Sequence, residues 1–166
     1  MHLAERLARL AQVWRTLFGS RQKGDKICVL PSGLPCCVNG EEDLARFLKS
    51  KKHFSVTNNT VKHAAFIPNP RDGKTSVFRH SGEPTDALWN IGRISLGEDV
   101  PIRGAAFIRA ETVRAEHLEV AASEPPPRHA NIENWPSADD PELAKAARKE
   151  VAMALASQAR LLVRSQ

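Results

Sequence analysis

A chain of 166 residues, 42% hydrophobic and 26% charged, has the size and composition of about one globular domain, and it can bury enough surface to fold without metal or disulfide support. No apolar run approaches the ~20 residues that cross a bilayer, and the hydrophobic content excludes wholesale disorder. The net charge of +5 is a mild surplus that favours acidic proteins or nucleic acid as partners and says nothing about fold.

Residues 3–18 carry Leu3, Leu7, Leu10, Trp14, Leu17 and Phe18 at helical spacing, with Arg6, Arg9 and Arg15 interrupting any signal-peptide core. This predicts a basic amphipathic helix ended by Gly19, with a polar linker after it, so that 1–24 forms an appendage to a single α+β domain over 25–166. Such a helix packs on the body, docks in a partner groove, lies on an anionic surface or mimics a transit peptide. Cys28, Cys36 and Cys37 are odd in number, two are adjacent, and no C-x-x-C exists. Neither a disulfide framework nor a zinc ribbon is indicated, and a set drawn from Cys36, Cys37, His53 and His63 matches no common zinc module, so no metal site is read. A reducing cytoplasm is the expected compartment.

Lys26–Leu30 reads as a short strand ended by Pro31-Ser32-Gly33-Leu34-Pro35. Asn39-Gly40-Glu41-Glu42 has the form of a capping box, predicting a helix over about 40–50 that buries Leu44, Phe47 and Leu48. The basic residues Lys49, Lys51 and Lys52 then suit the negative end of its dipole. Apolar runs at 61–67 and 74–79, joined by Pro68-Asn69-Pro70-Arg71-Asp72-Gly73, predict a hairpin over about 61–79 with Thr75, Val77 and Arg79 sharing a face. A short helix follows from Pro84, packing Leu88, Trp89 and Ile91 and ending at Gly92.

Gly104–Ala110 and Leu118–Ala122 read as strands around a short helix at 111–117. The proline run 125–127 enforces extended chain, and the loop after it runs through Ile132. Asp140-Pro141-Glu142 caps a closing helix over about 141–164, with Leu143, Ala147, Val151, Ala154 and Leu161 on its apolar stripe. The sum is an α+β fold: a small antiparallel sheet built on the 61–79 hairpin, flanking helices, an N-terminal amphipathic helix and a long C-terminal helix.

Three segments hold candidate chemistry. Val77-Phe78-Arg79-His80-Ser81-Gly82-Glu83-Pro84-Thr85-Asp86-Ala87-Leu88-Trp89 resembles the opening motif of the cholera- and pertussis-toxin-like mono-ADP-ribosyltransferases. The resemblance covers about a tenth of the chain and implies Arg79 as an NAD-gripping arginine. No Ser-Thr-Ser strand follows it, and Glu111, Glu116 and Glu119 do not match the family's acidic loop. Pro125-Pro126-Pro127-Arg128-His129-Ala130-Asn131 resembles the His-Pro-Asn neighbourhood of ubiquitin-conjugating enzymes, yet no cysteine follows Cys37 to carry a thioester. The bland account of that loop is packing, with Trp135 buried against the last helix and His129 bonding the backbone.

The third set is His63, His80 and His129 with Arg79. Two imidazoles and a cation around one cleft would suit metal-independent phosphodiester cleavage, whereas scattered side chains would be surface decoration. Glycine-rich nucleotide loops and a nucleophile elbow are missing. The leading expectation is therefore a non-catalytic cytosolic adaptor that needs no cofactor. It would recognise an acidic protein or nucleic acid through Arg6, Arg9, Arg15, Lys51, Lys52, His63 and Trp135. The rival is an enzyme acting on a phosphate-bearing substrate through Arg79 with His80 or His129, with NAD as the cofactor if the transferase resemblance holds.

Overall fold

The computed structural model describes residues 28–165; the expected N-terminal helix, the 1–24 appendage and Arg6, Arg9 and Arg15 lie outside the described residues. The described chain begins with a tight reversal. Gly33, at φ +83°, turns the backbone so that Cys36 N–H donates to Cys28 O and Leu30 N–H to Leu34 O. The Cα atoms of Cys28 and Cys36 come to 5.3 Å and the two residues form a disulfide. This corrects the expectation of unpaired cysteines and removes the ground for assigning a reducing compartment. Of the strand expected at 26–30, only an isolated bridge from Val29 to Pro35 is present among the described residues.

Asn39 and Glu42 make one of the two bonds of a capping box: Glu42 accepts from Asn39 N–H at 2.8 Å, while Asn39 Oδ1 accepts from Glu41 N–H, at 3.2 Å, one residue before the expected donor. No helix follows. The chain enters strand β1, Asp43–Leu48, which corrects the helix expected at 40–50. The pattern Leu44, Ala45, Phe47, Leu48 fits a helix stripe, but it equally fits a central strand buried on both faces, and all four are buried.

Two 3₁₀ turns, Lys51–His53 and His63–Ala65, flank a minimal hairpin of β2, Phe54–Ser55, and β3, Thr60–Val61. The arm expected at 61–67 is thus mostly not a strand. It pairs with Phe54–Ser55 and not with β4, Thr75–His80, so the 61–79 hairpin is overturned. Helix α1 spans Thr85–Leu96 and runs through Gly92 to stop at Gly97, φ +93°. After it come β5, Gly104–Arg109, the short α2, Ala110–Ala115, and β6, Glu119–Ala122. The proline-rich stretch then connects to β7, His129–Glu133, a strand where a loop was expected. Helix α3, Pro141–Gln158, opens as its sequence dictates: Asp140 Oδ1 accepts from Glu142 N–H and Leu143 N–H. It stops six residues early, because Arg160–Val163 leaves as β8. Its buried stripe is Ala144, Ala152, Leu155 and Ala156, one position off the expected one, leaving Leu143 exposed.

Six strands form one antiparallel sheet in the order β6-β7-β4-β1-β5-β8. Side chains alternate cleanly between its faces. Leu44, Leu48, Val77, Ala106, Ile108, Ala130 and Ile132 pack in one core with α2, α3 and Trp135. Ala45, Phe47, Phe78, Ala105 and Phe107 pack on the other face under Leu88 and Trp89 of α1. Among the described residues the architecture is α+β, with one helix on the second face, and the β6–β7 wing of that face is not part of its apolar core. Among the described residues no helix is long and apolar enough to cross a membrane.

Candidate functional site

Alternation along β4 decides the fate of the expected site. Arg79 points into the first face and is 1% exposed. Its guanidinium grips Glu42 through two bonds of 2.7 Å, and also donates to the carbonyls of Pro35 and Cys37. This bidentate pair and those carbonyls together use four of the five guanidinium N–H donors. Burial works against the Glu42 carboxylate, but the bonds from Arg79 and Asn39 outweigh it and hold the group below its ordinary pKa. Arg79 is a tie between β4 and the disulfide-bearing segment, with no surface left for an anion.

His80 and His129 lie on the other face. His80 Nδ1 stands 3.0 Å from Glu83, whose second oxygen pairs with Arg128. His129 packs edge-on against Phe78 and bridges Ser76 Oγ, at 2.6 Å, and Ser123 O, at 2.8 Å. His63 sits in the 3₁₀ turn that packs against α3, on the side of the first-face core. Trp135 is a core residue, 8% exposed, with its indole N–H on Ile132 O. The structure therefore does not bring Arg79 together with two histidines.

It does assemble a groove that the sequence did not announce. Beyond the paired ends of β1, β5 and β8, Arg103 N–H donates to Leu48 O and Arg164 N–H to Arg103 O, carrying the ladders one rung further. The Lys51–His53 turn and β2 lie at this same end. Together they enclose about 790 Å³, within the range of ligand sites. Phe54, Val56, Ile102 and Val163 give an apolar lining, and Lys51, Arg103 and Arg164 give it charge; no carboxylate is among the described lining residues. Arg164 lies over the Trp89 ring at 5.6 Å, a cation–π contact with a residue outside the groove's lining. Of the basic residues singled out from sequence, Lys51 lines this groove and Lys52, exposed, is its neighbour in the same turn. Arg103, Arg164 and Val163 were missed. They come from two chain segments whose nearness is set by the β5–β8 pairing, which no local pattern encodes.

Among the described residues no group of three metal-ligating side chains is close enough to hold a metal ion. The chain matches no protein-family model, no curated protein and no solved structure.

Proposed function

We propose that the chain is an accessory or adaptor module that binds an acidic, apolar-bearing segment of a partner protein in the groove at the β1–β5–β8 end. The supporting observation is the lining itself: three cations, five apolar side chains and no carboxylate among the described lining residues. Apolar walls supply burial, while the cations select sign and speed encounter. Charge complementarity chooses an acidic occupant over the chain's own segment 1–24, whose Arg6, Arg9 and Arg15 share the sign of the groove. That segment instead adds positive charge to the same recognition. A protein is favoured over nucleic acid because Phe54 is the one aromatic among the described lining residues, and Trp89 and Trp135 are buried.

The test is fluorescence anisotropy of the full chain with a short labelled Glu/Leu/Phe peptide, its Lys/Leu/Phe counterpart and a single-stranded oligonucleotide. The acidic peptide is expected to bind at least about tenfold more tightly than the basic one, and Lys51→Glu with Arg164→Glu to remove at least that factor. Equal binding of the two peptides, or tighter binding of the oligonucleotide, rejects the reading.

A further inference from the structure

The ladder between β1 and β4 covers only Asp43–Ala45, although both strands are six residues long. Past Ala45 the guanidinium of Arg46 takes over, donating to Ser76 O at 2.7 Å and to Ala65 O at 2.9 Å. Beside this interruption lies a cavity of about 230 Å³ that shares no lining residue with the groove; Phe47, Phe78 and Leu96 form its apolar wall and Ser76 and Asn131 its polar one.

Ser76 is set between two residues of β7. It lies directly opposite Asn131 in register and bonds His129 diagonally. Because Ser123 O can only accept, His129 Nδ1 donates to it, and Nε2, when it carries no proton, accepts from the Ser76 hydroxyl. This is the order of a base-activated nucleophile: hydroxyl to imidazole, imidazole to a fixed acceptor. The Asn131 side chain makes no hydrogen bond among the described residues, so its amide is open to a ligand.

We propose that Ser76, His129 and Asn131 form an acyl-transfer site for a short-chain ester. The substrate class follows from the cavity. Its volume is too small for a long chain, and Phe47, Phe78 and Leu96 give it an apolar wall; Arg46, Lys49 and Lys74 line it with Asp72, Lys74 being held by Glu133 at 2.7 Å and Arg46 by the carbonyls of Ser76 and Ala65. An ester with a small apolar acyl group fits that wall. Ser76 Oγ attacks the ester carbonyl carbon while its proton passes to His129 Nε2, and the carbonyl oxygen becomes an oxyanion beside the Asn131 amide. Collapse breaks the ester C–O bond, and the alcohol leaves with the proton from Nε2. Water then attacks the acyl-Ser76, giving a proton to Nε2, and the acid departs as Oγ recovers that proton. The net reaction is ester plus water to acid plus alcohol.

The experiment uses the full chain with a fluorophosphonate probe, in which Oγ displaces fluoride at phosphorus, read by intact mass and peptide mapping. One adduct on Ser76 is expected, formed at least about 100-fold more slowly in His129→Gln. No adduct at Ser76, or an equal rate in a folded His129→Gln, overturns the proposal. Asn131→Ala provides a second variant that leaves the Ser76–His129 bond in place. It is expected to lower kcat for p-nitrophenyl acetate at least about tenfold with KM little changed, and an unchanged kcat overturns the assignment.

Discussion

Arg79 is fully enclosed and its charge is answered by one carboxylate, so the two residues stand or fall together. Removing one partner strands a buried charge, and Glu42→Ala is expected to cost about 3–5 kcal/mol in urea unfolding. The pair Glu42→Ala with Arg79→Met should recover a large part of that loss, which a double-mutant cycle measures directly. Protonation tests the same contact. In Glu42, Glu83 and Glu124, burial opposes the charge, but hydrogen bonds and nearby arginines prevail and lower each pKa below 4.5. A lowered carboxyl means that the unfolded chain takes up protons first as the pH falls. The stability these groups confer is therefore complete above 4.5 and is lost as the pH falls through their folded-state values. His53 adds an earlier loss. Burial, with Arg46 and Lys49, lowers its pKa, so stability begins to fall as pH drops below 6.5. Urea midpoints across pH should show both legs, with Glu42→Gln flattening the lower one. Arg46 stays charged throughout, since burial pushes it down only to about 10. At this scale the sequence was half legible. Arg79 and His80 are adjacent letters, and period-two alternation alone sends them to opposite faces; the bond from His129 to Ser76 required knowing that 129–133 is a strand.

Among the elements, those whose ends are written in local chemistry were predicted well. Asp140-Pro141 opens α3, Pro84 precedes α1, and strands lie at 104–109 and 119–122, within a residue of the expected ranges. Errors arose where one pattern serves two structures. The Asn39–Glu42 turn makes one capping-box bond ahead of a strand, and Leu44–Leu48 satisfies helix spacing and two-sided burial equally. Gly92 was read as a helix stop, but its role is close packing: a Cβ there would lie 2.7 Å from Ile102 Cδ1 and 2.8 Å from Phe47 Cζ. Phe47 is hemmed in by Phe78 and Trp89, at centroid distances of 5.0 and 6.4 Å, and has little room to retreat. Gly92→Ala is accordingly expected to lift α1 and destabilise by about 1–3 kcal/mol, despite alanine's better helix propensity, as a lower thermal midpoint would show.

On the scale of the molecule, the strand order was the part least accessible to sequence reasoning. The pairings β1–β5, β4–β7 and β5–β8 join segments that lie far apart along the chain, and periodicity does not say which strand meets which. The groove and the Ser76–His129 contact are both products of those pairings. The disulfide is the other long-range surprise in its effect: it closes a short loop whose carbonyl at Pro35 receives Arg79. Reduction with a phosphine is expected to lower stability by about 2–3 kcal/mol, with Cys28→Ser reproducing the loss without reductant.

The place of β8 in the chain also has a consequence for biosynthesis. β5 receives its second neighbour only from Arg160–Val163, more than fifty residues downstream. During translation, then, the Gly104–Arg109 segment emerges with one flank unsatisfied, and its Ala-Ala-Phe-Ile stretch is a template for pairing between nascent chains until α3 and the strand beyond it leave the ribosome. Polypeptides cut short before residue 160 should accumulate as insoluble material at the temperature at which the full chain remains in solution.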